Sequence, residues 1–515
     1  MSLIKQSLNQ DWAASRDGKA LKERNYTNMQ ETIQQQPKNI QLPILDNNMI
    51  QNKFRKRQYI LGIIFFIFII LIIYSSIKIF SAPKNVAHQL QNQATQSNPS
   101  IKITVNLTNP IGISHFHTGA SHTQKEIALG NNQSEISSAR KLISSALSYE
   151  NIPIMGWGSP DPEPTPGHYN WNTLDKRIQF IESTGTTPMI TLCCAPGWMR
   201  SPSQANDFKY LAARPTNAHF QDFANLAKQV ALRYPQVRYY QVWNELKGFY
   251  NKSLNRWDYE DYTTLYNMVY DAIKAVRPDA QIGGPYVVMV HWSNAKAGGH
   301  PAHDPSLVNQ SFGTVDQRSL DVLSYWLAHK HGADFIAIDG GLKTKDSNVS
   351  TDPFVQAQYF SSIMKWIRTQ PDGGATLPVG WAEWYPSFTN DQSNINYDNA
   401  VMANALIETI KSGYFYALLW GTQGNSQGLN AFPASFMTNT ATPTIEYDTL
   451  KAIKDYFGNG TQLYDTSSTS STITVLASKT KTMLVNHLNK EQTISINGTV
   501  VTLSPYQVAI ITTPI

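Results

Sequence analysis

The sequence has little cysteine and, outside its N-terminus, no net charge, and both shortages limit what the protein can be. Only two of the 515 residues are cysteines, and they are adjacent, Cys193 and Cys194, which excludes a disulfide framework. Buried inert thiols are the expectation for this pair, ahead of a vicinal redox pair. With 29 glycines and 27 prolines, the chain also lacks the composition of collagen-like or proline-rich proteins.

The charge that is present lies at one end of the chain. Residues 1–58 carry ten Lys or Arg and five Asp or Glu, which accounts for the whole net charge of +5. The neutral remainder has no excess of positive charge that would favour nucleic acid as a partner. Because 41% of the residues are hydrophobic and 11% aromatic, the chain can bury a large core, and its length predicts more than one domain.

One long uncharged run interrupts the N-terminal region. Residues 59–77 read YILGIIFFIFIILIIYSSI, and a helix of this length spans about 30 Å, the thickness of the hydrocarbon core of a bilayer. Four basic residues directly before the run place the N-terminus in the cytoplasm by the positive-inside rule. We predict a disordered cytoplasmic tail over 1–58, a transmembrane signal anchor over 59–78 and a stalk over 79–100, with the rest extracellular or periplasmic.

From residue 110 onwards, short apolar runs alternate with amphipathic stretches. This alternation predicts an α/β fold, a (β/α)8 TIM barrel over residues 101–457. After Gly458, β-rich runs predict a small antiparallel C-terminal β-domain over 458–515, to which residues 101–107 could add a strand. The predicted barrel strands are Ile111–His115, Ile152–Trp157, Thr187–Leu192, Val237–Trp243, Gln281–Tyr286, Asp334–Ile338, Pro378–Ala382 and Phe415–Trp420.

Side chains just past the C-terminal ends of the strands form the active site in a barrel of this kind. Glu245 follows the fourth predicted strand and Glu383 the seventh. Two carboxyls across a pocket are what glycosidic bond cleavage needs, since one gives a proton to the leaving oxygen and the other, ionised, attacks or stabilises the anomeric centre. Side chains on the same face are predicted to bind substrate: Asn244, Trp420, His115, His117, Trp157, Trp198, Trp384 and Tyr385. For the two histidines, Trp198 and Trp384, structural packing is an equal alternative.

The segments around the two glutamates carry a family resemblance. Tyr240–Glu245 resembles the fourth-strand Asn-Glu signature of clan A retaining glycoside hydrolases, and Val379–Trp384 resembles their seventh-strand nucleophile segment. With three further stretches, Tyr169–Trp171, Tyr262–Pro278 and Ile282–Pro285, the chain most resembles glycoside hydrolase family 39, the β-xylosidase and α-L-iduronidase group.

The resemblance covers about residues 110–515 and implies a double-displacement mechanism with retention. It implies that Glu245 is the general acid/base with a raised pKa and that Glu383 is the ionised nucleophile, their carboxyls about 5–5.5 Å apart. Asn244 would bind the hydroxyl next to the anomeric carbon, and Trp420 would form the floor of the sugar subsite. The substrate implied is an extracellular poly- or oligosaccharide.

Two alternatives from other classes remain open. A carbohydrate-binding or adhesion protein without activity would use the same barrel, and departures from the family pattern at Met155 and Asp339 favour it, whereas the intact glutamates favour an enzyme. A lyase or aldolase would need a metal cluster or a Schiff-base lysine at a strand end, where Lys247 is the lysine to consider. No glycine-rich nucleotide motif follows a strand, and we predict no cofactor and no metal. The oligomeric state is left open.

Overall fold

The computed structural model describes residues 100–123, 130–203, 213–346, 352–386, 394–424 and 436–514. The predicted tail (1–58), the predicted anchor (59–78) and all but the last residue of the predicted stalk lie outside these ranges. Within them, no helix combines the length and the apolar character that a bilayer crossing requires.

The described elements are numbered in chain order. The strands are β1 (Ile101–Ile113), β2 (His117–Ser121), β3 (Tyr149–Pro153), β4 (Thr187–Leu192), β5 (Tyr239–Val242), β6 (Tyr250–Asn251), β7 (Arg256–Trp257), β8 (Gln281–Val288), β9 (His291–Trp292), β10 (Thr314–Val315), β11 (Phe335–Gly341), β12 (Val379–Tyr385), β13 (Tyr416–Trp420), β14 (Gln462–Ser468), β15 (Ile473–Ser478), β16 (Lys481–Asn486), β17 (Gln492–Ile496), β18 (Thr499–Leu503) and β19 (Val508–Thr512). The α-helices are α1 (Gln133–Ala146), α2 (Asn172–Thr184), α3 (Phe220–Arg233), α4 (Tyr259–Lys274), α5 (Ala295–Gly298), α6 (Gln317–His329), α7 (Pro353–Gln356), α8 (Gln358–Thr369), α9 (Ile395–Lys411) and α10 (Ile445–Tyr456).

Eight parallel strands close into the predicted barrel, in the order β2, β3, β4, β5, β8, β11, β12, β13. These strands are buried on both faces, which is why they read as short apolar runs rather than as alternating patterns. The helices between them are delimited by local chemistry. The side chain of Asn132 accepts hydrogen bonds from the first backbone amides of α1, and Gly185, at φ +74°, ends α2 in a left-handed conformation.

Most predicted strands lie within a few residues of the observed ones, and β4 coincides with its prediction. The first barrel strand is the exception. The predicted segment Ile111–His115 belongs largely to β1, and the barrel begins instead at His117. Both segments are too short for their periodicity to identify the barrel strand, and the pairing of β1 with β14 places residues 111–113 in the C-terminal sheet.

The C-terminal β-domain is a seven-stranded sheet in the order β18, β17, β1, β14, β15, β16, β19. Residues 101–107 do add a strand to it, as expected, so this N-terminal segment joins the C-terminal sheet rather than the barrel. The sheet is not wholly antiparallel, because β1 pairs in parallel with β17. Ile103 and Val105 of β1 pack with Val475, Ile494 and Ile496 to form the core of the sheet.

The interior of the barrel contains a layer of hydrogen-bonded polar side chains. Tyr416 donates from its hydroxyl to Gln241 Oε1 at 3.0 Å, and Gln241 Nε2 donates to Asn151 Oδ1 at 3.2 Å. Asn151 in turn donates from Nδ2 to Ser121 Oγ at 2.9 Å. These contacts join strands β2, β3, β5 and β13, so burial of the polar groups is matched by hydrogen bonds.

The adjacent cysteines end the third barrel strand. Cys193 and Cys194 are fully buried and joined by a disulfide. The expectation of free thiols is therefore wrong.

Candidate active site

Glu383 lies at the C-terminal end of β12, where the strand contains a bulge. Ile338 of β11 pairs with Trp381, whereas the next residue, Asp339, already pairs with Glu383, so Ala382 is an extra residue in the seventh barrel strand. A bulge of this kind changes the direction of the side chains that follow it. Beside it, Gly341 lies so close to Tyr385 that a Cβ would be 2.4 Å from the Tyr385 carbonyl oxygen, which explains the glycine.

Three side chains from different parts of the barrel donate hydrogen bonds to the carboxylate of Glu383. Asn244 Nδ2 and the Tyr286 hydroxyl each donate to Oε1 at 2.8 Å, and the Tyr385 hydroxyl donates to Oε2. Tyr286 reaches this position because it has a φ of +53° and interrupts the pairing between β8 and β11. Glu383 is 3% exposed, so its position is fixed from several sides.

Glu245 follows β5 on a strained backbone. Trp243, Glu245 and Leu246 have φ values of +71°, +49° and +46°, in the left-handed region that side chains larger than glycine rarely adopt. The buried indole of Trp243 packs against two phenylalanine rings and donates to the backbone oxygen of Lys247 at 2.7 Å, which holds this turn in place. Such strain is typical of functional sites.

A lysine and a third carboxyl complete the charged group. Lys247 Nζ lies 2.6 Å from Glu245 Oε2, which makes a close ion pair. Asp339, at the end of β11 and 1% exposed, joins the two glutamates, and one oxygen of each carboxyl lies within 4.8 Å of the others. The site thus gathers three carboxyls and one ammonium at the C-terminal ends of the fourth, sixth and seventh barrel strands.

The pKa values of the two glutamates are the reverse of the expected order in the free protein. Burial disfavours the charged form of Glu245, but the Lys247 ammonium and a hydrogen bond from Asp339 lower its pKa below the usual value. Burial, followed by the charge of Glu245, raises the pKa of Glu383 to about 7, although Lys247 and two tyrosine hydroxyls act against the rise. The sequence resemblance implied a raised pKa for Glu245, and the ion pair with Lys247 accounts for the difference.

Two partly exposed tryptophans lie near the charged group. Trp157 and Trp420 meet at right angles with ring centroids 5.6 Å apart, and Lys247 Nζ lies 5.3 Å from the centre of the Trp157 ring. Trp157 has a φ of +43°, so it too lies on a strained turn. The structure therefore brings Trp157, Trp420, Tyr385 and Asn244 together with the two glutamates.

Three other predicted substrate-binding residues do not join them. His117 begins β2, and its ring packs edge to face on Tyr149 and Phe415, which lie at the starts of their own strands. His115 precedes it, so both histidines lie at the end of the barrel opposite the carboxyls, and their predicted position at the C-terminal end of the first barrel strand is wrong. Trp384 is 1% exposed and packs against Phe360, which leaves no face for a sugar.

Trp198, the remaining predicted substrate-binding residue, makes its contacts outside the carboxyl cluster. It is partly exposed, donates from Nε1 to the Glu163 carbonyl at 2.8 Å and packs edge to face on His219. None of these contacts involves the carboxyl group cluster, so its predicted role in sugar binding stays a prediction.

Sequence reasoning missed Tyr286 and the part played by Lys247 and Asp339. Tyr286 ends a predicted strand and carries no motif, because its role depends on a left-handed backbone that the sequence does not reveal. Asp339 was visible only as a departure from a family pattern, and Lys247 only as the lysine that a lyase or aldolase would need. They contact Glu245 from different elements, so only the fold brings them together.

The three carboxyls are close enough to one another for metal ligation. We assign no metal to them, because the ammonium of Lys247 is bound to Glu245 and supplies a positive charge within the group. The expectation of a metal-free site stays a prediction.

Comparisons with known proteins agree with this architecture. The sequence profile described as glycosyl hydrolases family 39 matches residues 160–511. A β-xylosidase of Caldicellulosiruptor saccharolyticus is 23% identical over 282 residues, which are 51% of this chain and 52% of that protein. The chain thus spans about half the length of the curated relative that it matches.

Solved structures share the fold. A monomeric β-xylosidase from Caulobacter crescentus superposes with a TM-score of 0.52 at 17% identity, over 75% of this chain and 76% of that one. The GH39 enzyme from Xanthomonas axonopodis pv. citri gives a TM-score of 0.52 at 15% identity, over 76% of this chain and 75% of that one. At these identities the likeness concerns the fold.

Proposed function

The chain belongs to glycosyl hydrolase family 39, and we propose that it hydrolyses O-glycosidic bonds of poly- or oligosaccharides by double displacement with retention. The observation that carries the proposal is the placing of Glu245 and Glu383, with carboxyl oxygens within 4.8 Å of one another. Retaining glycosidases hold their two carboxyls about 5–5.5 Å apart, whereas inverting enzymes leave about 6.5–9.5 Å for a water molecule.

In the first step, ionised Glu383 attacks the anomeric carbon while Glu245 gives a proton to the departing glycosidic oxygen. The bond between the anomeric carbon and that oxygen breaks, and an ester bond to Glu383 forms. Asn244, Tyr286 and Tyr385 orient the Glu383 carboxylate through hydrogen bonds, so the attacking group is positioned before substrate arrives.

In the second step, water attacks the anomeric carbon of the ester and Glu245 takes its proton. Glu383 leaves as a carboxylate, and two successive inversions give net retention. Trp157 and Trp420 present rings beside the carboxyls, and such rings stack on the C–H faces of sugars. They are the proposed walls of the subsite that is attacked.

The proposal extends to the place of action. Residues 59–78 are an uncharged apolar segment preceded by basic residues, which supports a signal anchor with the barrel outside the cytoplasmic membrane. Alkaline phosphatase fused after residue 100 should be active in a bacterial host, and deletion of 59–78 should abolish that activity. A fusion that is inactive with the segment present would contradict the proposed topology.

The activity is tested with the full chain, purified in detergent, on aryl β-glycosides and polysaccharides. Wild type should release product, also with EDTA present, and Glu383→Gln should lose activity by about 10⁴-fold or more. Glu446→Gln is the matched control, because burial also raises the pKa of Glu446 to about 7 and Glu446 lies on α10 away from the carboxyl cluster.

Silence of wild type on every substrate, with sugar binding that Glu383→Gln leaves unchanged, would contradict hydrolysis. That outcome would favour a carbohydrate-binding protein on the same barrel.

A further inference from the structure

Asp339 is a buried carboxyl that the two-step reaction does not require. It lies on β11 between Val288 of the fifth barrel strand and Glu383 of the seventh, with which it pairs. Its Oδ2 atom has no hydrogen-bond donor among the described residues, so an ionised Asp339 would be a buried charge without a donor on that oxygen. A protonated Asp339 instead donates a hydrogen bond to Glu245.

The charges around Asp339 come from several elements. Glu245 and Lys247 follow β5, Glu383 and Tyr385 belong to β12, Tyr286 belongs to β8 and Tyr359 belongs to α8. The only cation of this set is Lys247, which is bound to Glu245. One ammonium does not balance three ionised carboxyls in a buried site, so at least one carboxyl must hold a proton at neutral pH.

We propose that Asp339 is a positioning residue that shares one proton with Glu245 and keeps it in the site until Glu245 delivers it to the leaving oxygen. This inference rests on the proposed glycosidase function. Lys247 holds Glu245 in the ionised form in the free protein, so the proton resides mainly on Asp339. Two carboxyls this close ionise as a pair, not separately.

The proton and charge balance holds through both steps. In the active form of the free enzyme, Glu383 is ionised and the pair of Asp339 and Glu245 holds one proton. In the first step that proton leaves with the departing oxygen, and Glu383 becomes a neutral ester. The pair can then be doubly ionised beside Lys247, since one negative charge has been removed. In the second step, a proton from water returns to the pair as Glu383 is released.

The direction of the Asp339 pKa agrees with this arrangement. Burial, followed by the charges of Glu383 and Glu245, raises it well above the usual range. The packing around the next residue explains why it is a glycine. Gly340 has a φ of +155°, and a Cβ there would lie 2.8 Å from the Tyr359 hydroxyl, so this end of β11 depends on glycine for close packing.

The test compares the pH dependence of kcat/KM for wild type, Asp339→Asn and Lys247→Met. The basic limb reports loss of the shared proton. Asp339→Asn removes the carboxyl that holds the proton and should move the basic limb to lower pH, by about one pH unit or more. Lys247→Met removes the positive charge that favours ionisation of Glu245 and should move the basic limb to higher pH. Glu446→Gln removes a buried carboxyl outside this cluster and should leave the basic limb in place.

Substrates whose leaving groups differ in their need for a proton make the test more specific. The loss of kcat/KM in Asp339→Asn should be about 10-fold larger for alkyl glycosides, which need the proton, than for dinitrophenyl glycosides, which do not. A purely structural role would slow both alike. Equal losses, or a basic limb that moves in neither variant, would overturn the inference while leaving retaining hydrolysis intact.

A second measurement does not depend on activity. Infrared difference spectra at pH 7 between wild type and Asp339→Asn should show that the variant lacks one protonated-carboxyl band. Absence of that difference would mean that Asp339 is ionised and would overturn the inference. Should Asp339→Asn fail to fold, the same measurements are made on Asp339→Ser, which also lacks the carboxyl. Wild type without any hydrolytic activity would refute the proposed function instead.

Discussion

The two ends of the barrel are built from opposite kinds of residue. At the N-terminal ends of the strands, the rings of Tyr149, Tyr239, Phe335 and Phe415 pack on one another with centroids 5.3 to 6.2 Å apart. At the C-terminal ends, three carboxyls and one ammonium lie together, with Asp339 and Glu383 buried and Glu245 and Lys247 partly exposed. The first end is held together by ring packing, whereas the second gathers three carboxyls whose repulsion one ammonium balances only in part.

The backbone shows the same contrast. Trp157, Trp243, Glu245 and Tyr286, all at or after the C-terminal ends of strands, have φ values between +43° and +71°. Left-handed conformations and crowded charges both cost free energy, which the rest of the fold must offset. The aromatic end therefore stabilises the barrel, while the charged end concentrates strain and repulsion beside the two glutamates.

The largest expected effect comes from Glu245→Gln at the charged end. Substrates with poor leaving groups should lose about 10²–10⁴-fold in kcat/KM, because no group remains to protonate the departing oxygen. The midpoint of thermal unfolding, followed by circular dichroism, should fall only slightly, because the variant relieves repulsion with Glu383 but also removes the ion-pair partner of Lys247. A drop in stability comparable to that of a core substitution would break the contrast between the two ends.

Phe335→Ala tests the aromatic end. Phe335 is 1% exposed, and its removal should lower the free energy of unfolding by about 3–5 kcal/mol in denaturant titrations. At a temperature where the variant is folded, kcat/KM should be close to that of wild type, because the ring lies at the opposite end from Glu383. Phe335→Leu is the control and should lose less stability. A large loss of activity in the folded variant would contradict the division.

Tyr286→Phe sharpens the account of the charged end. Its hydroxyl lowers the pKa of Glu383, so its removal should raise that pKa above about 7. Since the nucleophile must be ionised, the acidic limb of kcat/KM should move to higher pH, and activity at pH 6 should fall by about 10-fold. An acidic limb that stays in place would show that this limb does not report Glu383.

The smallest expected effect concerns stability alone. The pKa of Glu383 is raised by burial to about 7 in the folded protein, so folding is favoured below the ordinary pKa and loses that support as pH rises through 7. Glu383→Gln has no ionisable group at this position, so its stability does not fall in this way as the pH rises. The gain in Tm of the variant over wild type should be larger at pH 8 than at pH 5, by about 2–4 °C. An equal difference at both values would contradict the raised pKa.

Much of the fold could be predicted from the sequence, because apolar runs and amphipathic stretches report burial directly. The strand at Thr187–Leu192 and the glutamates after two strands follow from such patterns. The start of the first barrel strand does not follow from them, because β2 is short and partly polar, and the apolar end of β1 pairs with β14, far along the chain. That error moved His115 and His117 to the wrong end of the barrel.

The candidate site was predictable in part for a related reason. Glu245, Glu383 and Asn244 follow from position and motif. The contacts of Tyr286, Lys247 and Asp339 depend on a left-handed residue, an ion pair and a bulge, which are properties of the folded backbone. Trp384 follows Glu383 in sequence yet faces the core, since neighbouring strand residues point in opposite directions.

The most direct test of the central claim is covalent labelling of the proposed nucleophile. Wild type is incubated with a panel of 2-deoxy-2-fluoro glycosides bearing dinitrophenyl leaving groups, and its peptides are mapped by mass spectrometry. The account predicts one glycosyl adduct, on Glu383, which accumulates because the fluorine slows the second step and which is absent from Glu383→Gln. An adduct on Glu245, or hydrolysis of the parent glycosides with inverted anomeric configuration and no adduct, would contradict it.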